Sequence, residues 1–219
     1  MNPMPDSVKS PRTYSSPLRA GHAAATRQQI LDAAWLLFTT RGYAATTVTD
    51  VAEAAGVSVD TLYAAVGRKS VLLREVAESS ISGTPSAVSA EDREYVQQFR
   101  AATDPAIALR IYAQAIVAIS PRTAPLFAAL RDAARTDPDC SALANEISSR
   151  RASNMLLLAT DLRSKGGVRT ELTDQFIADF IWATAGFEHY LQLEQGRGWT
   201  AQQFGDYLAE IWIRTLLAP

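Results

Sequence analysis

Residues 46–73, TTVTDVAEAAGVSVDTLYAAVGRKSVLL, constrain the fold more than any other stretch of this chain. Thr46 and Thr47 can open a helix, because a threonine hydroxyl accepts one of the backbone N–H groups left unpaired at a helix start. Val48, Val51, Ala52 and Ala55 then recur at helical spacing and define one apolar face. Gly56 marks the end, where a chain turns through a left-handed residue without a Cβ penalty. Val57 is apolar and placed to plug between two helices. Ser58 is a second capping residue, and Val59–Val66 reads as a short second helix with Leu62 turned inward. Two short helices joined by a tight, glycine-containing turn form the unit that lays its second helix in the major groove of DNA.

The rest of the chain reads as helices too. Helix 1 is expected over 24–41, with Ile30, Leu31, Ala34 and Phe38 on one face and Gly42 as its stop. A further helix opens at Lys69-Ser70 and runs to residue 80, before a linker over 81–89. Ser89 with Asp92 resembles a capping box and predicts a helix over 90–102. Asp104-Pro105 and Ser120-Pro121 each put a capping residue before proline and predict helices over 105–118 and 121–135. Residues 140–165, 173–194 and 201–217 complete the series, the last one capped by Thr200 with Gln203. No alternating run competes as a strand, so the expected fold class is all-α. Residues 1–22, rich in Pro and Ser, predict a disordered arm. Its Lys9, Arg12 and Arg19 either stay solvated or reach DNA phosphates or the minor groove. The expected division is an arm over 1–22, a DNA-binding domain over 23–68 and a helical regulatory and dimerisation domain over 69–219.

Thr47, Val51-Ala52, Ala55-Gly56-Val57-Ser58, Thr61-Leu62-Tyr63, Lys69 and Leu72-Leu73 together resemble the signature of the tetracycline-repressor (TetR-type) family of transcription regulators. Ile30, Leu31, Ala34, Phe38 and Arg41-Gly42-Tyr43 agree with it. The resemblance spans roughly residues 26–76. It implies phosphate contact by Thr47, Tyr63 and Lys69, an effector pocket in the body over 91–165, and a dimer in which the last two helices build a four-helix bundle.

Physical chemistry supplies a complementary reading of the same residues. Phosphate contacts position a protein on DNA, while base-edge contacts read sequence. Thr47 and Thr49 sit at a helix start, where free N–H groups and the helix dipole favour an anion. Base reading falls to Ser58, Val59, Asp60, Thr61 and Ala64, with Arg68 beside them. Asp60 departs from the small residue frequent in the family. It accepts from cytosine N4, pairs with Arg68 or caps its helix. Ala64, Ala65 and Val66 replace larger residues, which leaves few bidentate readers and shifts weight to methyl contacts and DNA shape.

A single helix-turn-helix reads few base pairs and works as a two-fold dimer on a palindrome. Phe176, Phe180, Phe187, Leu191, Phe204, Leu208, Ile211 and Trp212 make the last two helices apolar over most of their circumference, as expected of helices buried on two sides. Candidate pocket residues are Tyr112, Phe127, Met155, Trp182 and Phe187, with Gln114, Asn154 and His189 as polar anchors. The scarcity of charge at positions that read as buried favours a small, largely apolar or aromatic effector.

Composition narrows the alternatives. Residues 1–75 carry eight basic side chains against six acidic, a local +2 that leaves −4 for the rest of a chain of net charge −2. A mildly basic head on an acidic body suits a DNA-reading domain. The two histidines, His22 and His189, offer no His-based metal site, and no GxSxG, Gly-rich phosphate loop or HExxH is present. No catalytic residues, metal or cofactor are expected. Cys140, the single cysteine, reads as a half-buried hydrophobe, with a redox thiol as the lesser reading. No apolar run reaches the ~18 residues that span a bilayer, and residues 1–22 lack a secretory core, so a cytoplasmic location is expected. An all-α interaction module or a ligand-independent regulator would share this composition. The former leaves the Gly56 turn, Tyr63 and Lys69 unexplained.

Overall fold

The computed structural model describes residues 17–84 and 88–219. Its elements are helices: α1 (Pro17–Arg41), α2 (Val48–Ala54), α3 (Val59–Val66), α4 (Lys69–Ser82), α5 (Glu94–Ala101), α6 (Pro105–Ala133), α7 (Pro138–Ser164), α8 (Asp174–Thr184), α9 (Phe187–Arg197) and α10 (Ala201–Leu216). One isolated antiparallel bridge joins Val168 to Leu217. The all-α expectation holds.

The caps fall where the sequence put them. Thr47 and Asp50 form a reciprocal capping box at the start of α2, and the Ser58 side chain accepts the Thr61 N–H at the start of α3. Between them Gly56 takes φ +68°. The Gly56 N–H donates to the Glu53 carbonyl at 3.1 Å and the Val57 N–H to that of Ala52 at 3.0 Å. These two bonds close α2 as a Schellman turn and aim α3 across it.

Four expectations are corrected. Helix 1 begins at Pro17 and not at residue 24, because proline suits the first helical position and the alanine-rich stretch behind it propagates a helix. Residues 17–22, Arg19 among them, are therefore helical, while Lys9 and Arg12 lie outside the described residues. Ser89 and Asp92 form a turn, with the Asp92 N–H donating to Ser89 Oγ at 3.3 Å, and α5 starts later, at Glu94. Ser120-Pro121 opens no helix. α6 passes through both Pro121 and Pro125, its buried face running on from Leu109 to Leu130. Packing of that face outweighs the local cost of the prolines. Finally, the helix expected over 173–194 is broken at Ala185-Gly186. Gly186 is buried at the N-cap of α9, and a Cβ there would stand 3.1 Å from the Ala183 carbonyl oxygen.

Two cores result. One joins α1–α4 to Leu126, Leu130 and Ala133 of α6 and to Cys140, Leu143 and Ile147 of α7. The other is built on Phe99, Leu109, Tyr112, Ile177, Phe204, Leu208 and Trp212. α6 contributes to both. By length and composition α6 could also cross a membrane, a property missed by counting consecutive apolar residues. Here its apolar side chains are spent on the two cores.

Candidate DNA-facing surface and internal cavity

The outer face of α3 is open. Asp60, Thr61, Tyr63 and Ala64 are exposed, Tyr63 by 51%, while Leu62 and Val66 are buried. Val59 is half-buried against the head core, which restricts its reach. Ser58 Oγ lies 2.8 Å from Thr61 Oγ1 and accepts the Thr61 N–H at 3.1 Å, so both hydroxyls serve the cap. Asp60 and Arg68 are both exposed, and no ion pair joins them among the described residues.

Thr49 is exposed on the first turn of α2. Thr47 differs from expectation. Its N–H donates to Asp50 Oδ2 at 2.7 Å and its hydroxyl to the same oxygen at 2.6 Å. These bonds hold the Asp50 carboxyl below the usual carboxylate range. The N–H that was to greet an external anion already serves an internal one. Lys69 is half-buried, with Nζ 4.0 Å from the centre of the Tyr43 ring. Burial lowers its pKa, opposed by Cys140, Asp137 and Asp50.

Tyr43 and Lys69 meet Cys140 at the joint between head and body. Burial, then Asp137, pushes the Cys140 thiol up to about 11. The side chain is also buried, which favours the reading of Cys140 as a small core hydrophobe over a redox thiol.

The body encloses a cavity of about 750 Å³ lined by α4–α9. Tyr112, Phe127, Asn154, Met155, Trp182 and Phe187 line it. Phe127 and Phe187 meet edge-on at 6.0 Å. The Tyr112 hydroxyl donates to Met155 Sδ at 3.4 Å, and its ring stacks on Trp212 at 5.6 Å. Burial raises the Tyr112 pKa. Two expected anchors are elsewhere. Gln114 is exposed on the outer face of α6. His189 Nδ1 lies 2.9 Å from the Thr184 carbonyl, and its ring packs edge-on against Phe204 and Tyr207.

Arg93 and Arg151 also line this cavity and were not anticipated. Arg151 donates to the Trp182 carbonyl at 2.7 Å and lies 5.3 Å from the Trp182 ring centre. The signal was present in the sequence. On α7, Cys140, Leu143, Ile147, Met155, Ala159 and Leu162 form the buried stripe, and Arg151 occupies the intervening position, four residues from both Ile147 and Met155.

Among the proposed interface residues, Phe204, Leu208 and Trp212 are buried in their own core, and the Trp212 indole N–H donates to Thr184 Oγ1 at 2.8 Å. Their apolar character is thus satisfied within one chain. Phe187 is taken up by the cavity. Phe176 remains 47% exposed and stacks on Phe180 at 6.1 Å, and Leu191 and Ile211 are half-buried.

Comparison with known proteins agrees with this architecture. Residues 30–76 match the family described as bacterial regulatory proteins, tetR family. The fold resembles that of a Saccharomonospora viridis protein assigned as a transcriptional regulator, in complex with choline (17% identity, TM-score 0.69, covering 90% of this chain and 100% of that one). It also resembles the fatty acid degradation regulator FadR of Bacillus halodurans (18%, 0.70, 93% and 98%). A third similar structure is the regulator FadR of Bacillus subtilis in complex with stearoyl-CoA (15%, 0.68, 85% and 97%). A comparison with curated proteins returned no match. The N-terminal head, residues 30–76, is thus similar to the tetR family of bacterial regulatory proteins, and it is carried on an all-α fold shared with solved structures described as transcriptional regulators.

Proposed function

We propose that this protein acts as a repressor that binds a palindromic operator as a homodimer and is released by a small, largely apolar or aromatic effector. The reading rests on one observation above all: the exposed face of α3 sits on a head whose core is shared with α6 and α7, two helices that also wall the cavity. In this reading residues 23–68 form the DNA-binding domain and residues 69–219 the regulatory and dimerisation domain, in the cytoplasm. Thr61 and Ala64 face bases, and Thr49, Tyr63, Arg68 and Lys69 face phosphates. The exposed Phe176, with Phe180, Leu191 and Ile211, supports a partner on the outer side of α8–α10.

The cavity falls within the ~300–1,000 Å³ of small-molecule sites. Structurally similar regulators carry ligands as unlike as choline and stearoyl-CoA, so the effector class has to be read from this chain's own walls. A ligand moves the equilibrium between DNA-bound and free forms by its differential affinity for the two.

The test is fluorescence anisotropy of the full chain on DNA fragments from around its own gene, at several salt concentrations. Selective binding with two protomers per site is expected. Equal, salt-labile binding to every fragment, together with an empty genome-wide fragment selection, would overturn the reading.

A further inference from the structure

Five arginines border the cavity, and three of them are paired. Arg100 lies 3.0 Å from Asp161, Arg150 2.6 Å from Glu78, and Arg131 3.9 Å from Glu188. Arg93 and Arg151 have no carboxylate within ion-pair distance among the described residues. Arg151 is satisfied by one carbonyl and the Trp182 ring. Arg93 donates to the Val88 carbonyl at 3.2 Å and to the Tyr95 hydroxyl at 3.3 Å, while its Nε is buried without a partner. Tyr112 lies between them: its ring centre is 6.0 Å from that of Tyr95, which Arg93 contacts, and its hydroxyl reaches Met155, one turn from Arg151 on α7. Glu91, the remaining carboxylate of the lining, is exposed.

Both side chains are half-buried, and Arg151 feels the Glu188 carboxylate only beyond ion-pair distance. A guanidinium partly drawn out of water with no carboxylate in direct contact is costly. Its planar fork matches a carboxylate. Phe99, Ile116, Phe127, Leu158 and Phe187 supply uncharged wall. We propose that the cavity takes an amphipathic carboxylate, its anionic head held by Arg151 and Arg93 beside Tyr112 and its apolar part against these side chains. This deepens the proposed function and rests on its reading of the cavity as the effector site.

The experiment compares dodecanoate with dodecanol, and 2-naphthoate with 2-naphthylmethanol, by calorimetric titration of the full chain. At least one carboxylate should bind ten-fold or more tightly than its neutral counterpart. Arg151→Gln should erase that preference and leave alcohol binding unchanged, while Arg151→Lys should retain part of it. Arg93→Gln should weaken carboxylate binding less. Circular dichroism and melting of each variant confirm folding, and the wild-type comparison stands without any variant. Equal affinities for acid and alcohol, or no carboxylate binding at millimolar concentration, would overturn the proposal. DNA binding is measured separately. Its loss with the carboxylate preference intact would count against the regulator reading, and equal affinities with selective DNA binding intact would count against this one.

Discussion

Arg74 grips Glu146 with both arms of its guanidinium, at 2.6 and 2.8 Å, across the gap between α4 and α7. One turn further along, Arg150 of α7 returns the contact to Glu78 of α4 at 2.6 Å. The two pairs run in opposite directions and tie the helix that leaves the head to a wall of the cavity. Both Arg74 and Glu146 are nearly half exposed, so that pair contributes little stability, on the order of 1 kcal/mol or less, while Glu78 is only 19% exposed. Arg74→Gln with Glu146→Gln is expected to leave the melting temperature almost unchanged while weakening the effect of an effector on operator affinity.

The same pair sets a pH dependence. The Arg74 hydrogen bond holds the Glu146 carboxyl below its ordinary value, and that of Arg163 does the same for Asp174. A depressed carboxyl contributes stability that is complete above its unfolded pKa, ~4 for such groups, and lost as pH falls through the lower folded value. Thermal melts below about pH 4 should therefore show a smaller acid-induced loss in Glu146→Gln than in the parent.

Gly205 and Gly196 both lie within helices and should respond oppositely to alanine. A Cβ on Gly205 would come 2.2 Å from Val117 Cγ2 and 3.3 Å from the Ala113 carbonyl, where α10 crosses α6. Overpacking of ~1–3 kcal/mol exceeds a helix-propensity gain of ~1 kcal/mol, so Gly205→Ala should destabilise. Gly196 has no atom within 4 Å of that position, and Gly196→Ala should stabilise by roughly 0.5–1 kcal/mol. Denaturant melts of the two variants check both signs.

Tyr63 and Lys69 should separate by salt dependence. Tyr63→Phe removes the neutral hydroxyl proposed to reach phosphate and should lower operator affinity without changing the slope of log K against log salt. Lys69→Met removes a charge and should reduce that slope by about 1. An unchanged slope in Lys69→Met would place the ammonium at the Tyr43 joint rather than on DNA.

Cys140 should be silent in the folded protein. With its pKa near 11 and its side chain buried, no thiolate forms at pH 8. An aromatic disulfide reagent is expected to release one equivalent per chain after denaturation and almost none before it.

Phe176 and Trp212 test the dimer surface. Phe176→Glu with Phe180→Glu should give folded monomers in sedimentation, because Phe176 is exposed and stacks only on its neighbour in the same helix. Trp212→Ala should instead cost ~3–5 kcal/mol of stability, since Trp212 is fully buried in its own chain.

The head was legible because its signals are local. Thr47, Gly56 and Ser58 each fix a backbone event within four residues of themselves, and all three occurred where their chemistry required. Pro121 misled because the deciding force is distant: packing of the α6 face carries that helix through a proline. Gly186 misled for a local reason, since the chain breaks there with the Trp182 and Ala183 carbonyls close around it, and an apolar periodicity that continues past the break does not announce it. Part of the expected interface, Phe204, Leu208 and Trp212, is buried within the chain for a reason related to that at Pro121. A wide apolar face announces burial on several sides but not by whom, and Phe204, Leu208 and Trp212 found their neighbours within the chain. Arg151 is legible as the charge that interrupts the apolar stripe of α7 between Ile147 and Met155.

α6 spans 29 residues, about 43 Å at 1.5 Å per residue, and one end of it is built into each core. The head is therefore no detachable bead on a string. Grafting it onto another body would leave Val76, Ala77 and Leu73 facing solvent unless Leu126, Leu130, Ala133, Cys140, Leu143 and Ile147 travelled with it. Exchange of specificity between such proteins by cutting after α4 should yield sticky, poorly folding hybrids. The natural seam for swapping runs through side chains on three helices, not through a loop in the sequence.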